Sequence, residues 1–273
     1  MNISCHLHGF PELSLEQAIM SVARLGFRYI DIDSGHLDLD TIAQAPEKEA
    51  TALIALLKEF QLTVLDFSLT LLAINSPEPN KRDTALSQFA KILPFVALLQ
   101  PRGITIAAGS VHEDGQAPSL ARSVPAIMQM AEAVSKFAPG IGLSLEYRPG
   151  LAASAADTLL LLECVPGLTL TLDTGNLAYA GLTQPDLVNM LPQTRYIHLR
   201  QGANERRQVP LNGGVLDFAE WTTTLLASSY RGDVTIEYLT GNSDFGAIAV
   251  NVIEETLKLR DVVRDTRARV NPS

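Results

Sequence analysis

"LTLTLDTGN", residues 168–176, sets leucines against threonines and then runs into an aspartate, a glycine and an asparagine. Successive side chains of a strand face opposite sides. Leu168, Leu170 and Leu172 therefore share one face, and Thr169, Thr171 and Asp173 share the other. A carboxylate at the end of the polar face of a buried strand needs a reason, and its neighbours supply one.

The same rhythm recurs along the chain. Strand-like runs are "NISCHL" (2–7), "RYIDID" (28–33), "TVLDFSL" (63–69), "GITIAA" (103–108), "IGLSLEY" (141–147), "LTLTLD" (168–173), "TRYIHLR" (194–200) and "DVTIEYL" (233–239). Helical patterns lie between them. "SLEQAIMSVARLG" opens on Ser14, with Glu16 two residues later, and stops at Gly26. "EKEATALIALLKEFQL" puts Leu53, Ile54, Leu57 and Phe60 on one predicted face. "ALSQFAKILPFVALLQ" carries Pro94 inside a helical pattern, which predicts a kink or break. Eight strands alternating with helices in 273 residues predict a (β/α)8 TIM barrel, a single domain over 1–273. An open doubly wound sheet is the alternative, weakened because no G-x-G-x-x-G follows the first strand. The polar tail "TRARVNPS" is expected to fray.

Composition narrows the function. Net charge is −9, which disfavours nucleic acid, since phosphate binding draws on clustered Lys and Arg. Two cysteines, Cys5 and Cys164, give no disulfide framework and fit a reducing cytoplasm. The start "MNISCHLHGF" lacks the pattern of a signal peptide. No run approaches the ~18 apolar residues of a membrane span. A small molecule is the expected partner, and self-association of the chain is left open.

Four of the later strands share a feature. Glu146, Asp173, His198 and Glu237 each stand at or near a strand's end, with Ser144, Thr171, Tyr196 and Thr235 two residues earlier. The residues flanking each position are mostly Leu or Ile, the side expected to face the helices. All four would then converge inside the carboxyl end of the barrel, where active sites of this fold sit. Three carboxylates in a partly dry site repel one another, and a divalent cation removes that conflict. Three oxygen donors and one nitrogen suit Mn²⁺ best, with Mg²⁺, Co²⁺ or Zn²⁺ as alternatives.

These residues, in "LEYRP", "LDTGN", "IHLRQ", "RRQVPLNGGVLDF" and "TIEY", resemble the xylose isomerase-like barrel family of sugar isomerases, epimerases, dehydratases and type IV apurinic endonucleases. The resemblance to its ketose 3-epimerase branch implies that Glu146, Asp173, His198 and Glu237 bind one metal and that Glu146 and Glu237 are the acid/base pair. It implies a substrate contact from the loop holding Arg206 and Arg207, Arg207 being the candidate. Asn176 stands where many members carry a histidine that touches substrate, and an amide can hydrogen-bond but not transfer a proton. Gln201 stands where many carry Asp. An endonuclease of this fold needs a trinuclear zinc site, and five histidines, none ending the second or third strand, do not furnish it.

Arg200 shares the parity of His198 and should point into the mouth, toward a substrate oxygen or carboxylate or as a counter-charge to the carboxylates. His8 is a candidate pocket wall and His6 a core histidine. Asp31, Asp33 and Asp66 have inward parity, with Asp33 also placed to cap a turn. His36 and His112 read as loop residues, and Trp221 as packing of the seventh helix. The expected activity is isomerisation or epimerisation of a small sugar or keto-polyol through an enediolate. A dehydratase of an inosose- or dehydroshikimate-like ring is the alternative, and a ligand-binding barrel without chemistry the remaining one.

Overall fold

The computed structural model describes residues 1–151, 154–241 and 245–270. Its eight strands are β1 (Ile3–His6), β2 (Tyr29–Asp33), β3 (Thr63–Leu69), β4 (Gly103–Ile106), β5 (Gly142–Glu146), β6 (Thr169–Asp173), β7 (Thr194–Leu199) and β8 (Asp233–Ile236). All pair in parallel in chain order, and β8 returns to β1, which closes the barrel. An open sheet is thereby excluded. Around the strands run α1 (Leu15–Arg24), α2 (Leu39–Gln44), α3 (Pro46–Glu59), α4 (Pro79–Leu99), α5 (Gln116–Phe137), α6 (Ala155–Cys164), α7 (Thr174–Tyr179), α8 (Gln184–Met190), α9 (Phe218–Ala227) and α10 (Val252–Val270). Among the described residues no helix is long and apolar enough to cross a membrane.

The alternation of "LTLTLD" becomes the two sides of β6. Leu170 and Leu172 are buried against the helix layer, with Leu145 on β5 and Ile197 on β7 beside them. Thr171 and Asp173 turn inward and are also buried. Burial of the apolar outer side stabilises the fold by about 25 cal/mol for each Å² of apolar surface removed from water. Burial of the inner side obliges its polar groups to find partners.

They do so in a hydrogen-bonded column. Ser144 Oγ lies 2.7 Å from Thr171 Oγ1, and Thr105 Oγ1 lies 3.0 Å from the same atom. Thr105 donates to Asp66 at 2.5 Å. The Tyr196 hydroxyl donates to Asp31 at 2.8 Å and meets Ser4 Oγ at 2.7 Å. Arg195 enters from the opposite end of the barrel, and its Nη2 donates to Asp66 at 2.6 Å and to Ser144 at 2.7 Å. Gly103 and Gly142 make that entry feasible, because a Cβ at either would collide with the Arg195 side chain. Asp31 and Asp66 thus have the inward direction expected of them, as parts of the interior column.

Ser14 starts α1 as expected, as its N-cap, in a box closed by Gln17. Two local expectations change. On α3 the buried face is Ala50, Leu53 and Leu57, whereas Ile54 is exposed. And α4 continues through Pro94 without a break. Phe89, Ile92, Leu93, Phe95 and Val96 are all buried around it, and that packing outweighs one lost backbone hydrogen bond. At the tail, residues 266–270 belong to α10, held by buried Thr266; residues 271–273 lie outside the described residues.

Candidate active site

Each of the four carboxyl-end residues is placed by its strand. Glu146 is the last residue of β5 and Asp173 the last of β6. His198 pairs across from Asp173 on β7, and Glu237 follows β8, its N–H donating to Leu199 O at 3.1 Å. Their donor atoms all lie within 4.8 Å of one another. His198 Nδ1 is 3.0 Å from Glu237 Oε2 and 4.0 Å from Glu146 Oε1. Asp173 and His198 are buried, Glu237 nearly so, and Glu146 keeps a little exposure.

The electrostatics follow from gathering three carboxylates out of water. Burial raises the Asp173 carboxyl to about 6, with the Arg200 charge opposing it and Glu237 and Glu146 adding to it. Burial would depress His198, but Glu237, Glu146 and Asp173 outweigh it and raise the imidazole to about 9. Burial also works against ionised Glu237, yet Arg200, His6 and His198 hold it well below the usual carboxylate range. The cluster therefore draws positive charge to its centre. That behaviour, with three oxygen donors and one imidazole nitrogen, fits a divalent cation.

Around the cluster lies a cavity of about 250 Å³. Asn176, Arg200, Arg207 and His8 all line it, with Glu146, His198 and Glu237. His8 Nδ1 is 3.3 Å from Glu237 Oε1, an interaction that raises the His8 pKa against the effect of burial. Asp173 caps α7, its Oδ1 accepting from the Asn176 backbone N–H at 2.9 Å, and the Asn176 side-chain Nδ2 donates to Tyr147 O at 3.1 Å. Its Oδ1 is buried with no hydrogen-bond partner, so the amide offers an acceptor at the cavity wall. Arg200 turns back and donates through Nη2 to Asp173. His6 is buried and pairs with Ser68 Oγ at 2.8 Å, but it also forms part of the cavity floor. Asp33 accepts from Gly35 N at 2.8 Å, the turn cap expected of it, and lines the cavity as well.

Other candidates stand away from the cavity. His36 bonds Phe10 O, His112 bonds Asn75, and Trp221 is buried in α9. Gln201 is a staple: Nε2 donates to Leu211 O and Leu216 O at 2.9 Å each, and Oε1 accepts from Gly202 and Leu216 N–H. Arg148 is a cavity residue that sequence reasoning missed, its Nη1 3.5 Å from Glu146 Oε2. It stands two residues after Glu146, so the same alternation could have marked it.

Solved structures of the same architecture cover nearly the whole chain. D-psicose 3-epimerase from Clostridium cellulolyticum H10 is 15% identical, covering 97% of this chain and 99% of its own, with a TM-score of 0.75. L-ribulose 3-epimerase is 18% identical, with 98% and 96% coverage and a TM-score of 0.73. The probable 3-DHS dehydratase involved in petrobactin synthesis from Bacillus anthracis is 15% identical, with 100% coverage of both chains and a TM-score of 0.67. No curated protein matches. A family model for the xylose isomerase-like TIM barrel matches residues 19–262, and the chain belongs to that family.

Proposed function

We propose that this protein is a metal-dependent isomerase or epimerase of a small sugar or keto-polyol, with Glu146 and Glu237 as acid and base. The observation that carries this reading is the convergence of Glu146, Asp173, His198 and Glu237 within 4.8 Å at the carboxyl end of the barrel. Those four residues would hold the cation, Mn²⁺ by preference. When bound, it supplies polarisation of a carbonyl and its neighbouring hydroxyl and steadies the enediolate charge. The chain's own groups do the rest. Glu237, held in place by His8 and His198, is the base for the proton next to the carbonyl. Glu146, the more exposed of the pair, returns a proton from the other side. Asn176 Oδ1 accepts from a substrate hydroxyl, and His8 orients Glu237. Two glutamates acting on opposite faces invert a centre, while return to the adjacent carbon moves the carbonyl. A dehydratase is the second reading, since the same proton removal precedes loss of a β-hydroxyl and a probable dehydratase shares the architecture.

The test joins metal content to isotope exchange. Asp173→Ala and His198→Ala should lose most bound Mn²⁺ by elemental analysis. In D₂O, the Mn²⁺-loaded protein should wash deuterium into the carbon beside the carbonyl of its ketose substrate. Glu146→Gln and Glu237→Gln should each slow turnover by about 10²-fold or more. Full turnover by both Gln variants would overturn the acid/base roles. A new conjugated absorbance with loss of water would turn the reading to dehydration.

A further inference from the structure

Three arginines line the cavity that holds the donor cluster. Arg200 is 2% exposed. Its Nη2 is committed to Asp173, while Nε and Nη1 are buried without a hydrogen-bond partner. Buried guanidinium N–H groups without acceptors are costly, so something is expected to complete them. Arg148 stands 3.5 Å from Glu146, too far for a strong direct hydrogen bond. Arg207 is partly buried, its guanidinium carbon 5.7 Å from the Phe245 ring centre. Burial lowers the Arg207 pKa, and the charges of Arg200 and Arg148 lower it further. Three like charges thus share a small cavity.

We propose that the substrate carries a carboxylate, received by Arg148, Arg200 and Arg207 while its carbonyl end meets the donor cluster. This rests on the enediolate reading above and adds the substrate's charge class to it. Three guanidinium groups on one cavity, one of them with two buried N–H groups still without acceptors, call for an anion. The planar guanidinium fork also matches the two oxygens of a carboxylate. The substrate class that follows is a polyhydroxylated keto acid.

The test uses matched pairs that differ only at a terminal carbon. The Mn²⁺-loaded full chain is titrated calorimetrically with D-fructose and D-tagatose, with their 6-carboxylates, D-fructuronate and D-tagaturonate, and with their 6-phosphates. The carboxylates should bind at least about tenfold more tightly than the parent ketoses, as expected for charge-assisted pairing. Arg148→Gln and Arg207→Gln should bring that ratio toward one with Mn²⁺ content unchanged. Arg200→Gln is avoided, because it strips a buried counter-charge from Asp173. Equal affinity for acid and ketose overturns the proposal and leaves the enediolate reading standing. Tighter binding of the 6-phosphates overturns the carboxylate assignment. Carboxylate preference without deuterium exchange in D₂O supports the anion site and counts against the enediolate reading.

Discussion

Gly175 shows how far the site depends on a missing side chain. It lies between Asp173 and Asn176, and a Cβ there would collide with the Arg207 carbonyl and come within 2.7 Å of Arg200 Nε. Gly175→Ala should therefore push the Arg207 segment outward and destabilise the protein by about 1–3 kcal/mol, the usual cost of overpacking. A thermal melt checks the stability, and the ratio of carboxylate to ketose affinity checks the displacement; an unchanged melting temperature would show that the neighbours yield freely. At this scale the sequence was legible only in part. Alternation along strands marked Glu146, Asp173, His198 and Glu237, because a short side chain goes where its Cα–Cβ bond aims it. Arg200 was assigned to the mouth by the same rule, and it does line the cavity, but its long stem lets the guanidinium fold back on Asp173. Parity gives direction at Cβ and says little about a charge four bonds further out.

The loop between β7 and α9 is the element that shapes one wall. Two buried glutamines hold it. Gln201 ties Gly202, Leu211 and Leu216 together, and Gln208 ties the loop to Leu239 and Ile248, both after β8, through bonds of 2.7–3.0 Å. Gln201→Ala leaves buried carbonyls and N–H groups without partners, at roughly 1–3 kcal/mol for an unsatisfied group. The expected outcome is a lower melting temperature and a raised KM, with metal content retained. Loss of metal instead would place Gln201 in the support of the donor cluster. Gln201→Glu keeps the acceptor but turns a buried carboxylate toward the Leu211 and Leu216 carbonyls, so it should lower the melting temperature at least as much. Sequence reasoning noticed Gln201 only as a departure from a family pattern. Its partners are up to fifteen residues away and are mostly backbone groups, which no local periodicity encodes. The strands were readable for the opposite reason: their register is enforced by burial of both faces. Pro94 fell between these cases, a local rule overridden by the packing of α4.

For the whole molecule, the polar column within the barrel sets a pH response. Burial, then the neighbouring Asp66 charge, raises the Asp31 carboxyl from 3.8 to about 7. The folded protein then holds a proton that the unfolded chain releases near its ordinary value. The Asp31 contribution to stability should fall as pH rises from about 3.8 to about 7, because ionising Asp31 costs more in the fold than outside it. Asp31→Asn removes this contribution, so its urea-unfolding free energy should vary less across that window than the wild type's. Parallel pH profiles for the two proteins would contradict it. The ring itself carries a further implication. The four donors come from β5 to β8 or the residue after β8, whereas β1 to β4 contribute other cavity-wall groups such as His8, Asp33 and Thr70. Seams at β4–β5 and β8–β1 separate these two arcs, each a parallel ladder crossed by side-chain bonds, Thr105 to Thr171 at the first and His8 to Glu237 at the second. Recombination that carries these matching residues along can exchange the first arc between relatives while the second is inherited whole. A chimaera with β1 to β4 from a relative should keep its metal stoichiometry and change its choice of substrate, so new specificities can arise in this lineage without the chemistry being reinvented.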